Sequence, residues 1–127
     1  MSLLKDIAPS VQQVAEAIAI AVGVEVEIVD HELTIIGGSG IYADRVGWKE
    51  ESGELEGNFL YARTLRSGKT ELVEDAFSDR LYGSMVPEKT MELAEVCAPI
   101  KNGSEVLGID GLIAMNESQK AVLLDKT

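Results

Sequence analysis

VCAPIKNGSEVLGIDGLIAM, residues 96–115, decides the fold of this chain. Two apolar stretches flank a short polar turn at Asn102-Gly103, and Asn-Gly between hydrophobic runs is a strong short-range signal for a β-hairpin. The second arm is apolar almost throughout, as a central strand covered on both faces must be. Asp110 sits in its middle, and an ionisable group in such a place needs a partner or a purpose.

On either side of this hairpin the periodicities predict the remaining elements. Strands are expected at 24–29, 33–36, 70–73, 96–100 and 106–115, with Asp30-His31 turning the chain between the first two. Leu4, Ile7, Val11, Val14, Ile18 and Ala21 fall at intervals of three and four and predict a first helix, with Asp6 as its N-cap, Pro9 in its first turn and Gly23 as its stop. A second helix is expected from an Asn58 cap to Arg66, closed by Ser67-Gly68. A third starts at Asn116, with Gln119 placed to complete a capping box. Residues 41–57 have no clean period and read as a loop or short helices, and 76–92 as a long irregular segment. The last helix is cut off in mid-pattern, so residues 1–127 read as a single domain from a longer protein. Adjacent hairpins with flanking helices predict an α+β fold on a largely antiparallel sheet.

Composition narrows the function. Eleven Lys and Arg stand against 22 Asp and Glu, a net charge of −11, and the basic residues do not cluster. Phosphate-backbone binding depends on such clusters, so direct nucleic-acid binding by this domain is not expected. The one cysteine, Cys97, excludes an internal disulfide, and with one histidine it cannot make a zinc site of the usual nitrogen and sulfur ligands. The longest apolar stretch, 14–24, is interrupted by Glu16 and too short to span a bilayer, so no membrane role and a cytoplasmic setting are expected.

The phrase YARTLRSGKTELVED, Tyr61 to Asp75, resembles the helix, Ser-Gly turn and following strand of a GAF domain, the small-molecule sensor module related to the PAS fold. In the closing hairpin, Pro99, Ile100, Gly103, Val106, Leu107, Gly108 and Ile109 occupy the family's "Pro-aliphatic, short turn, hydrophobic-Gly-hydrophobic" positions. The resemblance covers roughly residues 5–124, and within the family the chain is similar to the N-terminal sensory domains of bacterial enhancer-binding activators that work with the nitrogen sigma factor. It implies a GAF-like central antiparallel sheet of five or six strands, with N- and C-terminal helices on one face and variable loops on the other. It implies a signal-input domain of a transcription regulator, binding a small molecule or a partner and relaying the change through its terminal helices. The alternative is a dimerisation module of the same fold without a ligand. The Asn-Lys-Phe-Asp-Glu pattern of the cyclic-nucleotide-binding members is lacking, and Cys97 lies on a strand rather than in the loop that carries bilin, so no cofactor carries over.

Candidate ligand-binding residues are Asp110, Cys97, Tyr61, Tyr82 and Asp75. Asp110 has no charged neighbour in sequence, and Arg45, Arg63 and Arg66 are its possible partners. Hairpin counting places Cys97 beside Ile109 or Asp110, two polar-capable groups in an aliphatic sheet; against this, Cys also serves as a small core hydrophobe. Tyr61 and Tyr82 lie in the segments that would close over the sheet, as do Tyr42 and Trp48. Asp75, with Asp79 and Arg80, either holds a ligand or shapes a loop. Gly37-Gly38-Ser39-Gly40 lacks the spacing and the lysine of a phosphate loop and reads as a flexible strand end. Glu50-Glu51 and Glu54-Glu56 read as solvated acidic surface. No catalytic set is present: an enzyme on this scaffold, like the sulfoxide reductases that share it, would need a reactive cysteine pair. The heptad-like first helix carries more apolar surface than one sheet face needs, and predicts a homodimer through it.

Overall fold

The computed structural model describes residues 2–76 and 92–125. The five expected strands all form, shifted at their ends by at most two residues: β1 Glu25–Asp30, β2 Ile35–Gly38, β3 Glu71–Val73, β4 Ala94–Asn102 and β5 Glu105–Ala114. They make one antiparallel sheet in the order β2-β1-β5-β4-β3, with the apolar β5 at its centre. β2 starts late because Asp30 stretches the turn: its Oδ1 accepts from the N–H groups of Glu32 and Thr34 at 2.9 and 3.0 Å. Leu33, left-handed at φ 64°, is buried within that turn.

The closing hairpin differs from its sequence reading in one consequential way. Its two turn residues are Gly103 and Ser104, because Asn102 still pairs with Glu105, and Gly103 takes the positive φ, 63°. Below the turn, Ile100 faces Gly108 while Lys101 faces Val106, which leaves Leu107 as an extra residue on β5. Counting from Asn102–Glu105 without this bulge would set Cys97 opposite Asp110. The bulge shifts the ladder by one, so Cys97 faces Gly111 and Ala98 faces Asp110. A one-residue slip exchanges the faces of a strand, and the expected pairing of Cys97 with Asp110 is thereby overturned: they lie on opposite sides of the sheet.

The helices also depart in detail. The first is two pieces, α1 Leu3–Asp6 and α2 Ala8–Val22, parted at Ile7. Ser2 rather than Asp6 supplies a cap, its Oγ accepting from Lys5 N–H at 3.1 Å. The break leaves Pro9 in the first turn of α2, where its missing N–H needs no acceptor. α3, Leu60–Ser67, has Phe59 at the N-cap position, and Asn58 instead receives Arg66 on its side chain. α4, Glu117–Asp125, is capped much as expected: Asn116 Oδ1 accepts from Gln119 N–H at 2.8 Å, but Gln119 Oε1 reaches back to Met115 N–H, one residue beyond the cap. Among the described residues no helix is long and apolar enough to cross a membrane.

Two layers result. On one face Leu4, Val11 and Ala15 of α1 and α2 bury against Val26, Ile28 and Ile36, and Leu123 of α4 against Val24, Ala94 and Ala114. On the other, Leu60, Tyr61 and Ala62 of α3 pack on Val29, Cys97 and Ile109. The Gly37-Gly38 pair is neither phosphate loop nor slack chain. Gln12 of α2 makes a two-point contact with Gly38, Nε2 donating to its carbonyl at 2.8 Å and Oε1 accepting from its N–H at 2.9 Å. A Cβ on Gly38 would sit only 3.0 Å from the Tyr42 backbone.

Candidate functional site

The chemistry gathers on the α3 face. Alternation along β1, β4 and β5 sends Glu27, Glu95, Cys97 and the bare backbone of Gly111 to this side. α3 is held over them by an acid from the preceding loop. Glu51, left-handed at φ 52° with Ser52 beside it at φ 58°, turns its carboxylate onto the helix start and accepts from Tyr61 N–H at 2.6 Å and Ala62 N–H at 3.0 Å. That buried carboxylate corrects the reading of Glu50-Glu51 as solvated surface; Glu54 and Glu56 are exposed as expected. Burial outweighs the two N–H bonds and pushes Glu51 up to about 7.

Tyr61 then reaches the sheet. Its Oη lies 2.8 Å from Glu27 Oε1 and bonds also to Glu95 Oε2, above Gly111, where any Cβ would collide with both the hydroxyl and the Glu95 carboxyl. All three side chains are buried: Glu27 is 1% exposed, Glu95 2% and Tyr61 3%. A phenol has one proton. When it donates to one carboxylate, the other acid must carry a proton of its own to keep the second bond. Burial, then the nearby Glu50 and Glu95 charges, hold Glu27 well above the ordinary carboxylate range. Burial beside the same acids raises Tyr61. Glu27 Oε2 meets no N–H or hydroxyl donor among the described residues, and the Glu50 carboxyl lies within hydrogen-bonding reach of the Glu27 side chain. A second phenol–acid pair lies close by, the buried Tyr42 hydroxyl donating to Glu92. No group of three His, Cys, Asp or Glu among the described residues is arranged to hold a metal ion.

Of the residues predicted from sequence, Tyr61 is at the centre of this cluster. Cys97 is on the same face and buried, its thiol pushed up by burial and by Glu95, which makes it a poor nucleophile. Asp75 is exposed just past β3. Tyr82, like Asp79 and Arg80, lies outside the described residues. Asp110 is on the far face between Ile28 and Ala98, mostly buried, with Oδ1 lacking a partner among the described residues; burial pushes it up to about 6. None of the three arginines reaches it. Arg63 bridges to Glu71 at 2.6 Å, Arg66 donates to the carbonyls of Leu55 and Gly57, and Arg45 lies over the rings of Tyr42 and Trp48. Beside Asp110, Ile28 belongs to a groove of about 190 Å³ completed by Leu4, Ile7, Ser10, Val11, Val14 and Ile100.

Glu27 and Glu95 were not among the sequence candidates. Glu27 alternates with Val26 and Ile28 and reads as the wet side of a half-buried strand. The missed signal is Val29, which has the parity of Glu27 and is apolar.

No family model matches the chain. It is 30% identical over 126 residues, 98% of its length, to an Escherichia coli K12 protein named as a candidate uric acid sigma-54-dependent transcriptional regulator, and it spans only 20% of that protein. Among solved structures it is similar to the GAF domain of a phosphoenolpyruvate-protein phosphotransferase from Coxiella burnetii, with a TM-score of 0.66 and 18% identity, covering 94% of this chain and 76% of that one. It is also similar to a type II free methionine-R-sulfoxide reductase from Thermoplasma acidophilum, with a TM-score of 0.61 and 17% identity, covering 97% and 88%. The chain has the GAF fold, as its sequence implied.

Proposed function

We propose that this chain is the non-enzymatic input domain of a cytoplasmic, sigma-54-dependent transcription regulator, and that it binds a small molecule at the Glu27–Tyr61–Glu95 cluster. The observation that carries the reading is 30% identity across nearly the whole chain to a regulator of that class, joined to a GAF fold with a polar cluster buried under its covering helix. The relative's name makes uric acid the first ligand to test. The reductase neighbour supports no enzyme reading here, because the single cysteine is buried and its thiol is held protonated.

The relay runs through paired N-terminal helices. Leu4, Ala8, Val11, Ala15, Ile18 and Val22 face the sheet side, while Leu3, Ile7, Ser10, Val14, Ala17 and Ala21 form a parallel seam one residue earlier, exposed and uncharged. Leu3, Ile7 and Val14 are each about half exposed, at 52, 53 and 51%. Strict 4-3-4-3-4 spacing without a charge is the pattern of a helix that meets a second copy.

Thermal melting of the 127-residue chain with and without uric acid tests the function. A ligand at a hundred times its Kd stabilises by about 2.7 kcal/mol, which moves the Tm of a domain this size by roughly 10 °C. An unmoved Tm at saturating uric acid, with no response to a metabolite panel, leaves the ligand-free dimerisation module as the reading.

A further inference from the structure

We infer that the groove between α2 and the sheet is a second ligand site, which takes a small organic amine: an aliphatic or aromatic body in the groove, and an ammonium group on the Asp110 carboxylate. It lies on the opposite face of the sheet from the Glu27–Tyr61–Glu95 cluster, and neither site needs the other.

Three observations meet there. The first is the space. The groove holds about 190 Å³ between Leu4, Ile7, Val11 and Val14 of the helices, Ile28 of β1 and Ile100 of β4. An apolar cavity of about 150 Å³ is enough to hold a benzene ring. The second is where Asp110 stands. β5 runs between β1 and β4, and in its register Ile28 pairs with Asp110 and Ile100 with Gly108. The chain between the two isoleucines is therefore that of Gly108 to Asp110. Leu4 lies directly on Gly108, where an added Cβ would come within 2.6 Å of its Cδ1, so the polar side chain next to the groove is Asp110. The third is the state of that side chain. Its Oδ1 is buried and meets no hydrogen-bond donor among the described residues. Burial alone raises its pKa, to about 6, with no neighbouring charge bearing on it, so it is ionised at neutral pH.

A carboxylate without a partner beside apolar walls opposes folding. Groups that cost stability in this way collect at binding sites. The complement of this one is a full positive charge on an apolar body. The ammonium makes a charge-assisted hydrogen bond with the carboxylate, and the body replaces water against the aliphatic walls. A neutral ligand would leave the carboxylate unpaired in a drier site. The competing occupant is a second copy of the chain, because Ile7, Ser10 and Val14 belong both to the groove and to the exposed seam. None of the seam residues, Leu3, Ile7, Ser10, Val14, Ala17 and Ala21, is basic, so a second copy brings Asp110 no cation from its seam.

The probes are phenethylamine and its neutral counterpart 2-phenylethanol, titrated into the 127-residue chain and into its Asp110→Asn variant. Binding is followed by amide chemical shifts, with a melt of each protein as a folding control. The expected result is that the amine binds saturably and moves the amides of Ile28, Ile100 and Asp110. Its Kd lies at least tenfold below that of the alcohol, as a charge-assisted hydrogen bond requires. In Asp110→Asn the amine weakens at least tenfold while the alcohol stays within about threefold. Equal Kd values for amine and alcohol in the parent, or a preference that survives Asp110→Asn, overturn the inference. Amine shifts that do not saturate overturn it too, and leave the groove to the second copy. Each of these failures leaves the input-domain reading standing, since that reading rests on the sequence relative and on the other face of the sheet.

Discussion

Asp110→Asn stabilises this domain, and does so more at neutral than at acid pH. Asp110 lies mid-strand on the α2 face, with one carboxyl oxygen unpartnered among the described residues and no arginine at hand. Burial raises it from the ordinary 3.8 to about 6. A raised acid binds its proton more tightly in the folded state than in the unfolded one, so its ionisation opposes folding. The penalty is absent below about pH 4, grows between about pH 4 and 6, and is constant above that. A shift of about two units corresponds to about 3 kcal/mol at full weight, of which a little over half is present by pH 5. Because part of the side chain still touches water, about 2 kcal/mol at pH 7.5 and about 1 kcal/mol at pH 5 are the working figures. Asparagine keeps the shape and cannot ionise, so it removes the penalty. Urea melts of parent and variant at the two pH values read the difference directly. A gain equal at both would mean that the change acts through packing. A loss at pH 7.5 would refute the reasoning outright, since it is the signature of a carboxylate held by a partner.

Three further perturbations test other parts of the structure. Gly108→Ala would drive a Cβ into the Val29 carbonyl oxygen and to 2.6 Å from Leu4 Cδ1, and because the first is backbone that cannot turn aside, we expect a loss of about 3 kcal/mol or more in a urea melt. Glu51→Ala removes the carboxylate that holds the first N–H groups of α3 and lowers stability by about 1–2 kcal/mol, while Glu51→Gln, which keeps one acceptor, loses about half as much; equal losses would count against the cap. Replacing Ile7 and Val14 together by Glu puts charge on the exposed seam, and sedimentation velocity at high micromolar concentration is expected to show a dimer for the parent and a monomer for the variant, the melt unchanged within about 1 kcal/mol.

The fold was legible because its elements announce themselves locally. Period-two alternation places β1, the turn residues close the hairpin, Gly23 and Gly68 end α2 and α3 in left-handed conformations, and each of these signals acts within a few residues. Sequence failed where one local choice competes with another at nearly equal energy. Asp6 has a capping side chain, yet the chain breaks at Ile7, two residues before Pro9, and Ser2 caps the short α1 instead. The bulge at Leu107 is the costlier miss. Nothing in Val106-Leu107-Gly108 marks an extra residue, yet it determines which side chains share a face, and it carried Asp110 away from Cys97 and the rest of the cluster.

The site was legible only in part, for a related reason. A glutamate that alternates with valine and isoleucine signals water, and Glu27 obeys the pattern while violating its meaning. What reverses the meaning is tertiary: α3 lies over that face, fastened by Glu51, and delivers a phenol that bonds to both Glu27 and Glu95. Gly111 has its role in the same arrangement, since only a residue without a side chain leaves room for the Tyr61 hydroxyl on the central strand. Read from sequence, that glycine interrupts an apolar strand and Glu27 dilutes another. In three dimensions each is the condition for the other, and the two faces divide the work: one buries acids around a phenol, the other sets an apolar seam beside a groove whose floor runs next to the lone Asp110. β1 joins the two faces: Glu27 on one side belongs to the acid–phenol cluster, and Val26 and Ile28 on the other rest against α1 and α2.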